Sequence, residues 1–308
     1  MSPATPIPRL QERLLWIVDG HAFAYRAFFA IPPLTSPDGA PTNAILGFIK
    51  MLEKGRDKVQ PTHQVVVWDG GLAVQRLAVL PEYKAQRPPM PEKLVPQMAG
   101  LDTYLEAAGI AAWRRPGVEA DDAIADLTRQ AAEAGARVVI GSSDKDFMQL
   151  VSPRVELLNP GDRTQTVLGT DQVRAKTGVG PGQIVDWLSL VGDTVDNIPG
   201  VPGIGPKTAT KLLVQFGSLV AVLDRLNEIA SRSLRQRLEA GGTLARQNQG
   251  LVRLNDRVGV ELEWPALAVR SPDQARLHAL YRDWGFQSLL PKPGPGTPRQ
   301  PDWFAGFC

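Results

Sequence analysis

Nine carboxylates of this chain fall in short clusters whose spacing suits phosphate ester hydrolysis on metal ions. Asp19 and Asp69 each close an apolar run and are each followed by a glycine. Asp144 follows a third such run after Gly141-Ser142-Ser143, and Asp146 stands two residues on, on the same side of an extended segment. Glu119, Asp121 and Asp122 open a helical stretch, with Glu119 and Asp122 three apart and so on one face. Asp193 and Asp196 lie in Gly192-Asp193-Thr194-Val195-Asp196-Asn197. A single Asp after a strand is usually a turn or cap residue, and acids at a helix start complement its dipole. The repetition argues for a shared pocket. Crowded carboxylates repel unless cations neutralise them. Oxygen ligands without His or Cys select Mg²⁺ or Mn²⁺, and two such ions suit phosphoryl chemistry. The single cysteine, Cys308, excludes a Cys-based zinc site and an internal disulfide, and the scattered His21, His63 and His278 disfavour a His-rich metal site.

A second pattern suits a nucleic-acid backbone. The run from Asn197 to Ala209 contains Pro199-Gly200-Val201-Pro202-Gly203-Ile204-Gly205-Pro206-Lys207-Thr208 between two helical stretches. Gly203 and Gly205 let backbone N–H groups approach a ligand, and the helix start, Lys207 and Lys211 add positive charge. Such a hairpin clamps phosphates without reading bases. An ordinary helix–helix turn is the plainer reading, but this one directly follows the Asp193/Asp196 pair.

Elements that would hold these residues are visible around them. Residues 14–18, 64–68 and 137–140 are apolar without alternation, as in strands of a parallel sheet buried on both faces. Helical periodicity covers 42–56 and 120–134 between them, so the class is α/β, with a mostly parallel central sheet flanked by helices. Ligands of such sheets bind beyond the carboxyl ends of the strands, where Asp19, Asp69 and Asp144 would converge. Residues 75–96 carry five prolines with Arg76, Lys84, Arg87 and Lys93, and read as a flexible basic arch over the sheet. Beyond residue 180 the pattern is helical, with helices expected at 207–216, capped by Gly217, and near 273–284. The expected organisation is an α/β domain at 10–180, a helical DNA-binding region at 181–290 and a Pro/Gly-rich tail at 291–308.

Composition agrees. With 308 residues, 43% hydrophobic and 21% charged, wholesale disorder is excluded. No apolar run approaches membrane-spanning length and residues 1–9 carry no secretory signal, so a reducing cytosol is expected. The net charge is only +2, but nine of the 32 acidic residues go into the pocket, leaving a basic excess elsewhere that suits a polyanion. A GxxxxGK[ST] loop is absent, and Asp19-Gly20-His21 is not an Asp-x-Asp pair, which disfavours a P-loop NTPase and an aspartyl-phosphate phosphatase.

With these residues in view, the chain resembles the 5′-nuclease (flap endonuclease) family, most nearly the N-terminal 5′→3′ exonuclease domain of bacterial DNA polymerase I. The likeness spans about residues 14 to 290 and rests on IVDGHAFAYRAFFA (17–30), VVWDG (66–70), LPEYKAQRP (80–88), GVEADDAIA (117–125), SSDKDFMQLV (142–151) and LVGDTVDNIPGVPGIGPKTATKLL (190–213). It implies a PIN-like or resolvase-like sheet and a helix–three-turn–helix that grips duplex DNA and holds K⁺. It makes all nine acids metal ligands. It also implies that Lys84 and Arg87 reach from the arch to the scissile phosphate, that Tyr83 stacks on a base, that Arg76 stands at the arch base and that Tyr25 and Arg26 line the rim. The implied substrates are DNA 5′ ends, flaps and nicks, or an RNA primer on DNA, cut by a monomer in a bacterial cytoplasm near the nucleoid. Two departures stand out: Gln75 where the family commonly has Phe, and Gly70-Gly71 after Asp69, either of which would alter arch order or threading. No polymerase domain follows, so a stand-alone nuclease or an excised fragment is expected.

The tail Gln300-Pro301-Asp302-Trp303-Phe304 resembles the Gln-x-Asp-Leu-Phe peptide that docks on the bacterial sliding clamp, with Trp303 in place of Leu. The readings that compete with a nuclease are a DNA-junction binder with lost catalysis, a PIN-like ribonuclease and a small-molecule phosphatase. The intact acids speak against the first, and the arch and hairpin against the other two.

Overall fold

The structure is a computed structural model that describes residues 13–162, 164 and 166–291. In chain order the elements are β1 (Leu14–Asp19), α1 (Gly20–Ala30), α2 (Asn43–Val59), β2 (His63–Val67), α3 (Val74–Val79), α4 (Val95–Ala107), β3 (Ala111–Trp113), α5 (Ala120–Glu133), β4 (Arg137–Gly141), β5 (Val155–Leu158), β6 (Val167–Leu168), α6 (Thr170–Thr177), α7 (Ile184–Val191), β7 (Gly192–Asp193), β8 (Ile198–Pro199), α8 (Pro206–Phe216), α9 (Leu219–Asp224), α10 (Arg232–Val252), α11 (Trp264–Leu267) and α12 (Gln274–Asp283).

One six-stranded sheet runs in the order β3-β2-β1-β4-β5-β6. The first five strands are parallel and β6 is antiparallel to β5. The chain starts at the centre, winds outward through β2 and β3, then returns to β4 on the other side of β1. Strand order therefore reverses between β1 and β4, which opens a crevice at their carboxyl ends.

The pleat divides the β1 side chains. Trp16 and Val18 pack with Phe23 of α1, Phe48 of α2 and Leu101 of α4, while Leu15 and Ile17 pack with Ile124 and Leu127 of α5. Trp68, just past β2, stacks on Phe48 with ring centroids 5.9 Å apart. Such a pair adds about 0.5–1.5 kcal/mol beyond the area it buries, and it anchors the backbone that carries Asp69. Side chains cap the starts of α1 and α12: Asp19 accepts from Ala22 N at 3.0 Å and Asp273 from Arg276 N.

One expectation needs correction. Residues 75–96 are not an open arch. They fold as α3, a turn over 81–86 and the approach to α4, with Tyr83 and Lys84 only 3% and 4% exposed. Arg76 and Lys84 turn inward, toward the carboxylates that attract them, while Lys93 stays exposed. The packing itself is continuous across residue 180. The core under α5 continues into Leu188, Leu213 and Leu238 of the helical region. Past α10 the chain recrosses to the sheet, where Val269 N bonds Thr62 O and α12 lies on α4, with Leu277 and Tyr281 in the core of the opposite face.

Candidate active site

Eight of the nine acids converge at the carboxyl ends of β1, β2 and β4, over the strand-order reversal. Asp19 leaves β1 and is fixed twice, by Ala22 N and by Ser142 Oγ at 2.8 Å from Oδ2. Asp69 accepts from Gly71 N at 2.7 Å and from Ala120 N, the start of α5, at 3.3 Å. Its own backbone N–H is taken by His21 Nδ1 at 3.1 Å. The glycines beside it are explained by this geometry. A Cβ at Gly70 would run into the Arg115 carbonyl, and Gly71 adopts φ +117° to present its N–H to Asp69. They shape the Asp69 loop rather than the arch.

Asp144 accepts from Asp146 N at 2.9 Å. Asp146, Asp193 and Asp196 are all buried and bring ligand atoms within 4.8 Å of one another. The Asp146 Oδ1 has no hydrogen-bond partner, although it is buried. A buried acceptor of this kind is costly unless something positive meets it, so the donor set fits a hard divalent cation. Asp193 is gripped by Lys145 Nζ at 2.7 Å. Asp19, Asp69, Asp121 and Asp144 line one cavity of about 500 Å³, together with His21, Tyr25, Arg87 and Met90.

The electrostatics follow from crowding. Burial first, then Asp144 and Asp69, push Asp19 up from 3.8 to about 6 against the hydrogen bonds of Ala22 and Ser142. Burial and neighbouring acids raise Asp121, Asp144 and Asp146 as well. His21 is held below its ordinary value, chiefly by burial. Lys84 goes the other way: burial opposes its charge, but Asp121, Asp196 and Glu119 overcome this and keep the ammonium protonated.

The basic residues are placed differently from expectation. Arg76 is 6% exposed, so it is no DNA contact. It bonds both oxygens of Asp122 at 2.7 and 2.8 Å, Glu119, and the carbonyls of Leu251 and Arg253. Asp122 is thereby spent on Arg76 and Asn255 N and leaves the metal-ligand set, because its face of α5 looks toward the end of α10. Tyr83 presents no free ring for stacking; its hydroxyl lies 3.3 Å from Glu119 and 3.2 Å from Asp196. Lys84 Nζ lies 3.1 Å from Glu119, 3.5 Å from Asp121 and 3.7 Å from Asp196. Arg87 bonds Asp196 at 2.7 Å. Arg26 is exposed and donates to Gly161 O, and Tyr25 is half-buried at the cavity rim.

The hairpin follows the second acidic pair, with β7 and β8 closing its base. Gly203, with φ +78°, Gly205, Lys207 and Lys211 are exposed and Thr208 is half-buried at the start of α8. Sequence reasoning missed what braces the hairpin. Asn248 of α10 donates to Ser189 O and Pro199 O, and Arg237 donates to Gly203 O at 3.1 Å. Both come from a distant helix with no local signal. Ser142 and His21 were also missed, although each sits inside a motif already singled out. Gln300, Asp302, Trp303 and Phe304 lie outside the described residues.

Comparison with known proteins decides the family. A family model described as 5'-3' exonuclease, N-terminal resolvase-like domain matches residues 14–178, and one described as 5'-3' exonuclease, C-terminal SAM fold matches residues 179–275. The chain belongs to the 5′–3′ exonuclease family. A 5'-3' exonuclease of Aquifex aeolicus is 38% identical over 281 residues, covering 90% of this chain and 94% of that protein. The DNA polymerase I of Rhizobium leguminosarum is 40% identical over 89% of this chain, which spans only 28% of that relative. The solved structure of T5 5'-exonuclease with divalent zinc bound shares the fold, with TM-score 0.66 and 24% identity over 89% of this chain and 99% of that one. Within this exonuclease family the two-part architecture is a resolvase-like sheet followed by a SAM-like helical region. Among the described residues no helix is long and apolar enough to cross a membrane.

Proposed function

We propose that this chain hydrolyses DNA phosphodiesters at 5′ ends and 5′-flap junctions, using divalent metal ions held by Asp19, Asp69, Asp121, Asp144, Asp146, Asp193 and Asp196, with Glu119 set outside the ligands because Arg76 and Lys84 take its two oxygens. The observation that carries the reading is the convergence of these carboxylates beside a hairpin that offers glycine backbone and lysines to a phosphate chain. Mg²⁺, replaceable by Mn²⁺, suits an all-oxygen set, and K⁺ is assigned to the hairpin. When bound, the divalent ions would stabilise the charge that develops as the phosphodiester breaks.

The protein's own groups supply the rest. Lys207 and Lys211 hold the duplex through phosphates, so the enzyme reads structure rather than sequence. Lys84 and Arg87 exchange carboxylate partners for the scissile phosphate and offset its charge. Tyr25 and Arg26 border the entrance. His21 fixes the Asp69 backbone, so that the Asp69 carboxylate faces the cavity. An RNA primer on DNA fits the same backbone grip. The tail around Trp303 is assigned to a sliding clamp, and deletion of residues 299–308 would then abolish clamp binding. The enzyme acts as a monomer near the bacterial nucleoid.

The test is cleavage of a 5′-labelled flap duplex with Mg²⁺, with EDTA and Asp144→Asn as controls. Cutting at the junction, lost in both controls, supports the reading. Tight binding without cutting, even with Mn²⁺, favours a junction-binding protein, in which Lys84 would stay committed to Glu119.

A further inference from the structure

A second cavity, of about 320 Å³, adjoins the carboxylate cavity and shares His21, Asp69 and Met90 with it. Its own walls are Arg114, Met98 and Pro116. Nothing in the nuclease reading above uses it.

Two hydrogen-bond donors converge there. The Arg114 guanidinium lies over the Trp68 ring, 5.6 Å from its centroid, so stacking fixes its direction. Asp102, its ion-pair partner among the described residues, is 3.8 Å away with both side chains nearly half exposed, a weak tie that leaves the guanidinium's donors available. His21 accepts the Asp69 N–H on Nδ1, so in the neutral ring the proton sits on Nε2. Asp69 shares the wall, but both its oxygens already accept backbone N–H bonds. Met90 and Met98 add half-buried, polarisable apolar surface. Two donors and two thioethers lining one cavity match a nucleotide, with phosphate on the donors and base on the thioethers.

Sheet order sets which nucleotide this is. Along the carboxyl edge stand Asp144 after β4, Asp19 after β1, Asp69 after β2 and Arg114 after β3. The hairpin region joins this edge at the β4 end, through Lys145 and Asp193. A strand whose duplex part rests on the hairpin crosses the acids and reaches the β3 end last. We infer that this cavity is a subsite for the nucleotide on the 5′ side of the scissile phosphate, with its own phosphate on Arg114 and His21 and its base against Met90 and Met98. The inference rests on the nuclease reading for the direction of the strand.

The test measures binding of flap duplexes to the full chain by fluorescence anisotropy, in an Asp144→Asn background with Mg²⁺ so that the DNA stays intact. One duplex carries a neutral methylphosphonate in place of the phosphate of the nucleotide 5′ to the scissile bond, and another is abasic at that nucleotide. The methylphosphonate is expected to weaken binding about tenfold, the worth of one charge-assisted hydrogen bond. Arg114→Ala is expected to weaken the unmodified duplex equally and to make the methylphosphonate silent. Met98→Asp is expected to erase the penalty of the abasic site. Arg114 is exposed, so its loss leaves the fold intact. Multiplying effects of Arg114→Ala and the methylphosphonate, or no effect of Arg114→Ala, would overturn the subsite. Flap cleavage by the unsubstituted chain is scored separately. The nuclease reading therefore fails by that measurement and the subsite by the anisotropy.

Discussion

Lys84 and Glu119 form an ion pair cut off from water: Nζ lies 3.1 Å from Oε1, with 1% and 0% of the two side chains exposed. Lys84 reaches it from a left-handed backbone, φ +56°, pinned by its N–H to Asp196 O at 3.0 Å. Breaking one side of such a pair leaves an uncompensated buried charge, which costs about 3–5 kcal/mol. Lys84→Met is therefore expected to lose about 3 kcal/mol of unfolding free energy in EDTA, and to recover part of it with Mg²⁺. Urea denaturation measures both, and an unchanged midpoint in EDTA would show that the ammonium does not balance the acids.

Arg76 of α3 ties three elements together, bonding Glu119 and Asp122 at the start of α5 and two carbonyls at the end of α10. Arg76→Lys keeps the charge but loses the planar fork. It is expected to cost at least about 2 kcal/mol and to loosen both ends at once. Hydrogen exchange would show faster amide exchange at 119–123 and at 251–255 together. Loosening of one segment alone would refute the tie.

Gly200 packs so tightly on the end of α7 that a Cβ would meet the Val191 carbonyl. Gly200→Ala is expected to displace the hairpin and weaken duplex binding at least tenfold, the equivalent of about 1.4 kcal/mol, while the sheet core is untouched. Duplex affinity with near-UV circular dichroism as a fold control checks this, and wild-type affinity would contradict it.

Two buried aspartates set opposite pH slopes. Asp19 is raised from 3.8 to about 6, so the folded chain holds a proton there that the unfolded chain has released. Its contribution to stability without metal is full below 3.8 and is lost as pH rises toward 6. Asp126 is lowered: burial opposes this, but bonds from Gln130, Val260 N, Arg129 and Gly259 N prevail. Its contribution is present above its ordinary value and is lost as pH falls. In EDTA, Asp19→Asn is expected to flatten the fall in melting temperature toward neutral pH, and Asp126→Asn to flatten the fall toward acid. Unchanged slopes in either variant would refute the assignment.

The strand runs ending at Asp19, Asp69 and near Asp144 made the sheet centre legible, since only strands buried on both faces are apolar without alternation. The hairpin and its flanking helix were legible from Gly, Pro and Ser punctuation. β3 was not, because Ala111–Trp113 is three residues long and carries no period. Arg76 and Tyr83 were misplaced because composition marks a segment as basic but not the direction its charges face. Crowded acids drew these side chains inward, a long-range effect without local pattern. Asp122 was lost to the set for the same reason: its partner lies 46 positions away in sequence.

The apolar layer beneath α5 passes without a break from Leu15 and Ile17 of the sheet to Leu213 and Leu238 of the helical region. Neither half therefore owns its interior. A hairpin region cut out as a portable grip would carry half of a bisected core into water, and the sheet left behind would expose the other half. Heat or denaturant should melt the whole as one cooperative transition, so the sequence seam between cutting and gripping halves is not a seam in stability.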